Sequence, residues 1–339
     1  MATAKELQMK VDKAPRVKLV HLPTPLEKMP NLTKMLKGPQ LWVKREDCTG
    51  LAFGGNKERK AEFAIGDALS KKADVIITTG PIQSNHSRAT AAAARKMGLK
   101  VILVLTDEEP NIYDGNLLLD HLLGAEIRFF EKKHSKIDRT QFMENIAADL
   151  RKKGHSPYVI PAGASYPPGA TAYVNAMLEL LGQAQEKGFK IDWIVHGAGS
   201  GGTQAGLVLA KKALGSKVNV LGICAEPHLR DRLLDETVHI ANETAKLLDL
   251  KVAVKPEDVA ITEDYAGEAY EKPTPEAIKA IKLAAQTEGI LLDPIYTGRT
   301  MAALVNLIKK NHFEKSSNVV FMHTGGTPAL FPYKHELTR

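Results

Sequence analysis

The chain has 339 residues, 44% of them hydrophobic and 25% charged, with a formal net charge of +7. This composition is ordinary for a globular protein and leaves room for two domains. No apolar run reaches the roughly 20 residues that span a bilayer, and residues 1–13 lack the apolar core of a secretory signal. We therefore expect a cytoplasmic protein with no membrane partner.

Cysteine and lysine usage narrows the class further. Cys48 and Cys224 are the two cysteines; they lie far apart in sequence, which argues against a disulfide framework, and they form no metal-binding motif. The lysines are scattered among glutamates, which is typical of solvated helix faces and argues against a nucleic-acid partner. The basic balance is compatible with an anionic cofactor or substrate.

Short apolar runs alternate with helical patterns along most of the chain, which predicts an α/β fold with doubly wound parallel sheets. The predicted strands are residues 40–44, 74–79, 100–105, 126–130, 157–160, 193–196, 218–224 and 318–323. The predicted helices are residues 57–69, 84–97, 115–123, 139–153, 169–187, 203–214, 234–248, 275–288 and 298–310.

Two places in the chain indicate domain crossings. The proline- and glycine-rich segment 161–169 interrupts the alternation before a long helix, and a second candidate boundary lies near residue 50. We predict a smaller α/β domain, residues 52–165, inserted into a larger domain formed by residues 1–51 and 166–339.

Ligands in such folds bind at the carboxyl ends of the strands, where the following turns face a common crevice. Four glycine-rich or polar turns occupy such positions, and we expect them to meet. They are residues 54–60, 79–86, 197–203 and 323–326.

The first turn places Lys57 at the start of a helix, behind Gly54 and Gly55. Glycines let the backbone approach a ligand closely, and helix N-termini attract anions. Arg59 and Lys60 add positive charge, which we expect to lower the pKa of Lys57 and to free its amine for Schiff-base chemistry. The alternative from these residues alone is a glycine turn followed by a basic helix face.

The third turn opens a helix with glycines whose N–H groups suit a phosphate, with two hydroxyl side chains beside them. The same turn reads as G-x-G-x-x-G through Gly197, Gly199 and Gly202, and Glu226 ends the next strand, near where a dinucleotide fold places its ribose-binding acid. A nicotinamide oxidoreductase is therefore an alternative, as is a turn that serves only packing.

Side chains at the other turns suit a crevice. Ser84 is a natural helix N-cap. Beside it, the amide of Asn85 can bond a phenolate oxygen, and His86 can orient or protonate a substrate group. Tyr296 precedes a helix and is either a core residue or a contact to a ligand ring. Thr324 is a neutral hydroxyl at a strand end, where turn chemistry is the simplest role.

Together these turns resemble the pyridoxal-phosphate enzymes of the D-cysteine desulfhydrase and 1-aminocyclopropane-1-carboxylate deaminase family, within the tryptophan-synthase-β-like fold (fold type II). The resemblance extends over nearly the whole chain and rests on motifs in the same order. These are Pro23-Thr24-Pro25-Leu26, Lys44-Arg45-Glu46-Asp47, Gly54-Gly55-Asn56-Lys57, Gln83-Ser84-Asn85-His86, the turn 197–203, Asp293-Pro294-Ile295-Tyr296-Thr297-Gly298 and His323-Thr324-Gly325-Gly326.

The resemblance implies roles for individual residues. Lys57 is expected to hold pyridoxal 5'-phosphate as a Schiff base, with Asn85 on the pyridine hydroxyl oxygen and the larger domain as the cofactor domain. The implied catalytic residues are Lys57, Ser84, Tyr296 and Tyr270. The implied cofactor contacts are Lys57, Asn56, Lys60, Asn85, Gly199, Ser200, Gly201, Gly202, Thr203, Tyr296 and Thr324. The implied substrate contacts are Ser84, Asn85, His86, Gly163 and Ser165. A homodimer is also implied.

Two positions separate the activities within this family. Members that open the cyclopropane ring typically carry a glutamate after the Tyr296 equivalent and a leucine after the His323 equivalent, whereas this chain has Thr297 and Thr324. A hydroxyl beside the pyridine nitrogen cannot donate a full proton, so the ring is a weaker electron sink and loss of a β-substituent is favoured. The resemblance therefore implies α,β-elimination from a three-carbon sulfur-containing amino acid, giving pyruvate and ammonia.

D-Cysteine desulfhydration, which releases sulfide, is the expected reaction. L-Cysteate sulfo-lyase activity, which releases sulfite, is the alternative, and His86, Arg88 and the positive net charge suggest donors for a sulfonate. Ring opening of 1-aminocyclopropane-1-carboxylate is a lesser alternative. An NAD-dependent oxidoreductase and a non-catalytic binding protein are the alternatives from other classes. Glu58 stands where the family often has an uncharged residue, and its role is left open.

Overall fold

The computed structural model describes residues 2–131 and 137–338, and ten strands of this part of the chain form two sheets. The strands are β1 Leu26–Lys28, β2 Gln40–Arg45, β3 Val75–Pro81, β4 Lys100–Thr106, β5 Glu126–Phe130, β6 Pro157–Val159, β7 Trp193–Ala198, β8 Asn219–Cys224, β9 Ala260–Thr262 and β10 Asn318–His323. The helices are α1 Ala4–Val11, α2 Pro30–Leu36, α3 Asn56–Ser70, α4 Asn85–Lys96, α5 Gly115–Leu122, α6 Arg139–Lys152, α7 Pro167–Glu186, α8 Gly202–Leu214, α9 Arg230–Leu247, α10 Pro275–Glu288, α11 Thr297–Lys309 and α12 Lys334–Leu337.

The larger sheet has the strand order β1-β2-β10-β7-β8-β9, and its neighbours are parallel except for β1, which runs antiparallel to β2. Successive side chains of a strand point to opposite faces of the sheet, so β10 contributes residues to the hydrophobic cores on both faces. Val319 and Phe321 pack in the core layer of α10 and α11, while Val320 and Met322 pack in the layer of α7 and α8. Apolar burial on both faces explains the nearly continuous hydrophobic runs of these strands.

The smaller sheet has the order β5-β4-β3-β6 and is parallel throughout. Ile76 packs against residues of α3 and α4, whereas Val75 and Ile77 pack against α6 on the opposite face. All four strands of this sheet lie between residues 75 and 159. We propose the division into two domains on this basis. The smaller sheet lies in the domain of residues 52–165, and the larger sheet lies in the domain of residues 1–51 and 166–339.

The predicted α/β class with doubly wound parallel sheets is confirmed. The eight predicted strands and nine predicted helices are present, with ends shifted by at most four residues; the largest shift is in α9, which begins at Arg230 rather than 234. The prediction missed β1, β9, α1, α2 and α12. The two strands have three residues each, too few to reveal a period of two, and α2 and α12 span seven and four residues.

The turns singled out in the sequence converge beside the carboxyl ends of β3, β7 and β10. A bridge between Gly55 and Gly325 joins the Lys57 loop to the segment after β10. A cleft of about 910 Å³ lies between the two sheets and is lined by residues that follow strands of both. None of the described helices is long and apolar enough to cross a bilayer.

Candidate active site

Lys57 lies in the first turn of α3, where the two sheets meet. The N–H of Gly55 donates to Thr49 Oγ1 at 2.8 Å, and the N–H of Asn56 donates to the carbonyl of Thr324 at 3.0 Å. The first bond ties the loop to the segment after β2, and the second fixes the helix start against the end of β10. Burial lowers the pKa of Lys57 from its ordinary value of 10.5 to about 8, although the neighbouring Glu58 carboxylate acts in the opposite direction. The free amine is therefore accessible near neutral pH.

Arg59 does not act on Lys57 as predicted from the sequence. Its guanidinium binds the carboxylates of Glu46 at 2.5 Å and Glu179 at 2.8 Å, and these partners neutralise it. The expectation for Lys60 is also wrong, because its hydrogen bond with Lys57 acts to raise, not to lower, the pKa of Lys57. The lowered pKa of Lys57 is a consequence of burial, not of cations in the adjacent sequence.

Lys60 lies one turn further along α3, close to the glycine turn that precedes α8. Its Nζ donates to the carbonyl of Gly163 at 3.2 Å and lies 3.0 Å from the position that a Cβ on Gly202 would take. Burial, followed by the charge of Lys57, lowers its pKa well below the ordinary value. No carboxylate contacts Lys60 among the described residues. Because a buried cation without a counter-charge is unfavourable, this arrangement suits a bound anion.

Hydroxyl and amide groups complete the turn. Ser165 Oγ donates to Ser200 Oγ at 2.7 Å and accepts from the N–H of Gly202 at 3.2 Å. Asn56 Nδ2 donates to Thr203 Oγ1 at 3.1 Å. The structure thus brings predicted cofactor contacts together around the N-terminus of α8, where backbone N–H groups favour a phosphate. Ser165, predicted as a substrate contact, lies beside this turn.

Two glycines leave the space that the reactive groups occupy. Gly163 has a φ of +70°, and a Cβ there would collide with Ser200 and come within 3.1 Å of Lys57 Nζ. A Cβ on Gly199 would come within 2.9 Å of the Tyr296 ring. Glycine at these positions therefore keeps the lysine amine and the tyrosine ring accessible from one cavity.

Ser84 and Asn85 begin α4 at the carboxyl end of β3. Ser84 caps the helix by accepting from the N–H of Ser87 at 3.0 Å, which leaves its hydroxyl proton free to donate. The side-chain oxygen of Asn85 accepts from Nδ2 of Asn116 at 2.9 Å. Both predicted residues line the cleft that Lys57 lines, and Asn116, on α5, is a partner that sequence reasoning missed.

His86 lines the same cleft, but its ring nitrogens are already occupied. Nε2 lies 2.7 Å from the hydroxyl of Thr78, which itself donates to the carbonyl of Ile160, and Nδ1 lies 3.4 Å from the hydroxyl of Thr90. Burial lowers the pKa of His86 well below its ordinary value, followed by the charges of Lys57 and Lys60. A neutral ring held between two threonines argues against the predicted substrate contact.

Arg88, considered as a donor for a sulfonate, is directed away from the cleft. Its guanidinium is fully buried and binds Glu58 at 2.8 Å and the carbonyl of Gly54 at 3.1 Å, together with the carbonyl of Ala52. The departure noted at Glu58 is thereby explained, because this carboxylate is the partner of Arg88. The pair ties α3 and α4 together behind the lysine loop.

Tyr296 and Tyr270 form a hydrogen-bonded pair, with 2.6 Å between their hydroxyl oxygens and a T-shaped ring arrangement. Burial raises the pKa of Tyr296 to about 12, although the bond with Tyr270 acts in the opposite direction. The hydroxyls are therefore neutral donors at physiological pH. Both predicted tyrosines line the cleft on the side of the larger sheet.

Thr297 and Thr324 lie in different surroundings. They occupy the two positions that separate the activities within this family. The hydroxyl of Thr297 is fully buried and accepts from the N–H of Asp293 at 2.8 Å, while its own N–H donates to the Asp293 carboxylate at 3.0 Å. Burial raises the pKa of Asp293 to about 6. Thr324 lines the inner cavity with Lys57 and Lys60. Thr297 therefore shapes the turn, and Thr324 faces the ligand space.

The predicted residues fall into two overlapping groups. The inner cavity is lined by Asn56, Lys57, Lys60, Asn85, Gly199, Ser200, Gly201, Thr203, Tyr296 and Thr324, together with His196 and Gln204. The cleft outside it is lined by Lys57, Ser84, Asn85, His86, Gly163, Ser165, Gly199, Ser200, Tyr270 and Tyr296. Gly202 and Thr297 line neither. Sequence reasoning missed Arg139 and Arg232, which line the outer cleft, because no local motif distinguishes them from surface arginines.

The chain belongs to the family of pyridoxal-phosphate-dependent enzymes, which it matches over residues 17–325. It has the fold-type-II architecture of that family. It is 38% identical to D-cysteine desulfhydrase from Klebsiella pneumoniae, covering 95% of this chain and 97% of that protein. It is also 38% identical to 1-aminocyclopropane-1-carboxylate deaminase from Rhizobium rhizogenes, covering 96% and 98%.

This chain is also similar to solved structures of pyridoxal-phosphate-dependent enzymes and their homologues. A homologue of 1-aminocyclopropane-1-carboxylate deaminase superposes with a TM-score of 0.89 at 38% identity and covers 98% of each chain. A pyridoxal-phosphate-dependent aspartate racemase shares the fold, with a TM-score of 0.67 at 18% identity over 96% of this chain and 95% of its own. Membership of this family excludes the nicotinamide oxidoreductase considered for the Gly197 turn.

The residues present fit pyridoxal 5'-phosphate. Lys57 offers a buried amine with a lowered pKa, and Lys60 offers a second buried amine with no acidic partner in the described chain, which a phosphate would favour in its charged form, next to the N-terminus of α8. Asn85 and Tyr296 line the same cavity as the two lysines. Lys57 would hold the cofactor covalently, and Lys60 with the turn 199–203 would hold its phosphate.

Proposed function

We propose that this protein catalyses α,β-elimination from D-cysteine, releasing sulfide, ammonia and pyruvate. The observation that carries the proposal is the lining of the inner cavity, which contains no carboxylate among the described residues; Thr324 contributes a neutral hydroxyl. A pyridine nitrogen without an acidic partner stays unprotonated, which favours expulsion of a β-substituent over other fates of the carbanion. The chain is equally similar to D-cysteine desulfhydrase and to 1-aminocyclopropane-1-carboxylate deaminase, so the choice between the two reactions rests on Thr324.

Individual residues suit the steps of this elimination. The bound cofactor supplies an electron sink for the charge that develops when the α-proton leaves. The Lys57 amine, with a pKa of about 8, is suited to accept that proton. Ser84, whose hydroxyl proton is free, is suited to bind the substrate carboxylate and is the second candidate for the base. The Cα–H and Cβ–S bonds break, sulfide departs, and water completes the conversion to pyruvate and ammonia.

The paired tyrosines suit the leaving group. Each phenol is neutral because burial raises its pKa, and together they share one hydrogen bond at 2.6 Å. One hydroxyl proton is therefore left to donate toward the cleft. A neutral donor stabilises a departing thiolate without placing a permanent charge in the site.

L-Cysteate is a second candidate substrate, favoured by Arg139 and Arg232, which line the outer cleft. Burial and the nearby charge of Arg232 lower the pKa of Arg139, whose guanidinium is suited to an anion, whereas Arg232 is already paired with Glu236 at 2.8 Å. The donors first considered for a sulfonate weaken this candidate, because His86 and Arg88 are bonded to protein groups. Thiol elimination is therefore our preferred reaction.

The test is a side-by-side assay of the purified holoenzyme. Pyruvate release is measured with D-cysteine, L-cysteate and D-serine, and 2-oxobutyrate release with 1-aminocyclopropane-1-carboxylate. We expect D-cysteine to give the highest kcat/KM. Faster turnover of the cyclopropane substrate would refute the argument from Thr324, and faster turnover of L-cysteate would select the second candidate.

Borohydride reduction of the holoenzyme followed by peptide mapping tests the site itself. We expect a reduced adduct on the peptide that contains Lys57, and on no other lysine. A Lys57 peptide that stays unmodified would contradict the assignment. A trapped adduct without turnover of any of the four substrates would favour a non-catalytic binding protein.

A further inference from the structure

Asn116 lies outside the site motifs, yet it contacts a residue that lines the inner cavity. It is the second residue of α5 and is fully buried. Its side-chain nitrogen donates to Asn85 Oδ1 at 2.9 Å and to the backbone carbonyl of Gln83 at 3.1 Å. Its backbone N–H donates to Gln83 Oε1 at 2.9 Å. The side chain is thus held by several bonds beside the start of α4.

The orientation of the Asn116 amide is fixed by Arg88. The Nε of Arg88 donates to Asn116 Oδ1 at 2.9 Å. A guanidinium has donors and no acceptors, so the group that faces it must be the amide oxygen. The nitrogen of Asn116 must then face Asn85. Because Arg88 is itself held by Glu58 at 2.8 Å, the buried ion pair behind the lysine loop determines this orientation.

The orientation of Asn85 follows in turn. A nitrogen donor on Asn116 requires the oxygen of Asn85 opposite it, so the NH₂ group is the end of Asn85 that remains for a ligand. Asn85 lines the inner cavity, and its Nδ2 has no hydrogen-bond partner among the described residues. Without this constraint an asparagine offers a ligand its donor or its acceptor with similar ease.

We propose that Asn116 is a positioning residue that makes Asn85 present a hydrogen-bond donor, and not an acceptor, to the ring oxygen of the bound cofactor. A donor stabilises a phenolate oxygen, whereas the amide oxygen of Asn85 would repel it. The inference rests on the pyridoxal-phosphate site and is independent of which substrate is used. Glu58, Arg88, Asn116 and Asn85 form a chain in which each member fixes the orientation of the next.

The test replaces Asn116 by aspartate, which still accepts from Arg88 but cannot donate to Asn85. Apoprotein is titrated with pyridoxal 5'-phosphate, and the visible absorption band of the reconstituted protein is followed against pH. We expect the Kd to rise about 10-fold, because one hydrogen bond to a charged oxygen is lost. We expect the band to titrate at higher pH, because an oxygen with one hydrogen bond fewer holds its proton more tightly.

Matched variants separate positioning from general damage. Asn145→Asp adds the same charge at an exposed position of α6 and should leave the Kd unchanged. Asn116→Ser removes the amide without adding charge. It should change the Kd and the titration of the band in the same direction as Asn116→Asp, and it replaces that variant in the test if the aspartate variant does not fold. In an Asn85→Ala background, Asn116→Asp should change the Kd by less than about 2-fold, because its target is absent.

The outcomes bear on the proposal directly. An unchanged Kd and an unchanged band titration in folded Asn116→Asp would overturn it, as would an equal loss of affinity in the presence and absence of the Asn85 side chain. Both readouts are taken without substrate. Failure of D-cysteine turnover would therefore refute the proposed reaction without affecting this inference. An unchanged Kd and band titration in Asn116→Asp would refute this inference without affecting the proposed reaction.

Discussion

Lys57 and Lys60 donate to the same acceptor, the backbone carbonyl oxygen of Gly163, over distances of 3.3 and 3.2 Å. Two lysine nitrogens on adjacent turns of one helix thus share a single oxygen in a buried space. Burial lowers the pKa of both amines, that of Lys57 to about 8 and that of Lys60 well below its ordinary value, so a positive charge on either is unfavourable in the apoprotein. A cofactor phosphate would favour the charged form of Lys60, whereas Lys57 would act as a free amine, so the two roles can be tested separately.

Replacing Lys60 by glutamine tests the phosphate role. We expect the Kd for pyridoxal 5'-phosphate to rise on the order of 10- to 100-fold, since a charge-assisted contact is lost. We also expect the apoprotein to melt at a higher temperature at neutral pH, because burial lowers the pKa of Lys60 and glutamine removes the cost of deprotonating this side chain on folding. Lys71→Gln is the matched control, as Lys71 is exposed and paired with Asp67. A lower melting temperature together with unchanged affinity would contradict the role.

The pH dependence of cofactor uptake tests the lowered pKa of Lys57. A lysine whose pKa falls from 10.5 to about 8 becomes mostly free amine above pH 8. The rate at which apoprotein forms the borohydride-trappable adduct should therefore rise as pH increases, with a midpoint near 8. A midpoint near 10 would mean that Lys57 is solvated like an ordinary surface lysine.

Glu58→Leu tests the buried pair with Arg88. Both side chains are fully buried, so removal of the carboxylate leaves an uncompensated guanidinium. We expect a loss of about 3 to 5 kcal/mol in the free energy of unfolding, measured by urea denaturation of the apoprotein. The double variant Glu58→Leu, Arg88→Met should lose less than the sum of the single losses.

An exposed ion pair provides the control for that comparison. Asp149 and Lys152 lie 3.0 Å apart on the solvent face of α6. Asp149→Leu should leave the free energy of unfolding nearly unchanged, because solvent screens an exposed ion pair. Equal losses at the buried and the exposed pair would show that the Glu58 carboxylate is not stabilised by Arg88.

The hydroxyl of Thr324 is tested by substitutions that keep either its shape or its chemistry. Thr324→Val removes the hydroxyl at nearly constant volume and should lower kcat for D-cysteine about 10-fold, through loss of one hydrogen bond in the cavity. Thr324→Ser keeps the hydroxyl, and its kcat for D-cysteine should stay within about 3-fold of that of the natural protein. Sulfide release is the measurement. Equal activity of the valine and serine variants would exclude a role for the hydroxyl.

Thr297 should behave differently, because its hydroxyl accepts from the N–H of Asp293 and does not line the inner cavity. Thr297→Val leaves that buried N–H without an acceptor and should lower the free energy of unfolding by about 1 to 3 kcal/mol. The order of preference among the four substrates should be unchanged. A reversal of that order would restore Thr297 as a direct determinant of the reaction.

Much of the fold could be predicted because long elements carry their period in the sequence. Strands such as β10 are buried on both faces and appear in the sequence as apolar runs. Helices such as α7 are long enough to show the period of a helix. Edge strands β1 and β9 could not be predicted, because three residues carry no period and their pairing depends on distant neighbours. The order of the strands is likewise a property of packing.

Of the site, Lys57 and the turn at Gly197 could be predicted because glycine placement and helix starts are local features. The expectations for Arg59 and Arg88 failed for a common reason. Each is a polar residue near the site in sequence whose partners, such as Glu179 and Glu58, come from elsewhere in the chain. Proximity in sequence does not reveal which direction a side chain takes.

The sequence by itself determined the α/β class and the candidate lysine, and the motif order pointed to the cofactor, because these follow from local periodicity, backbone requirements and residue chemistry. Only the tertiary structure decided that burial, and not neighbouring charge, lowers the pKa of Lys57. Only it revealed that Asn116 orients Asn85. Solvation and hydrogen-bond direction depend on groups that folding brings together from distant segments, so they are not encoded in any one stretch of chain.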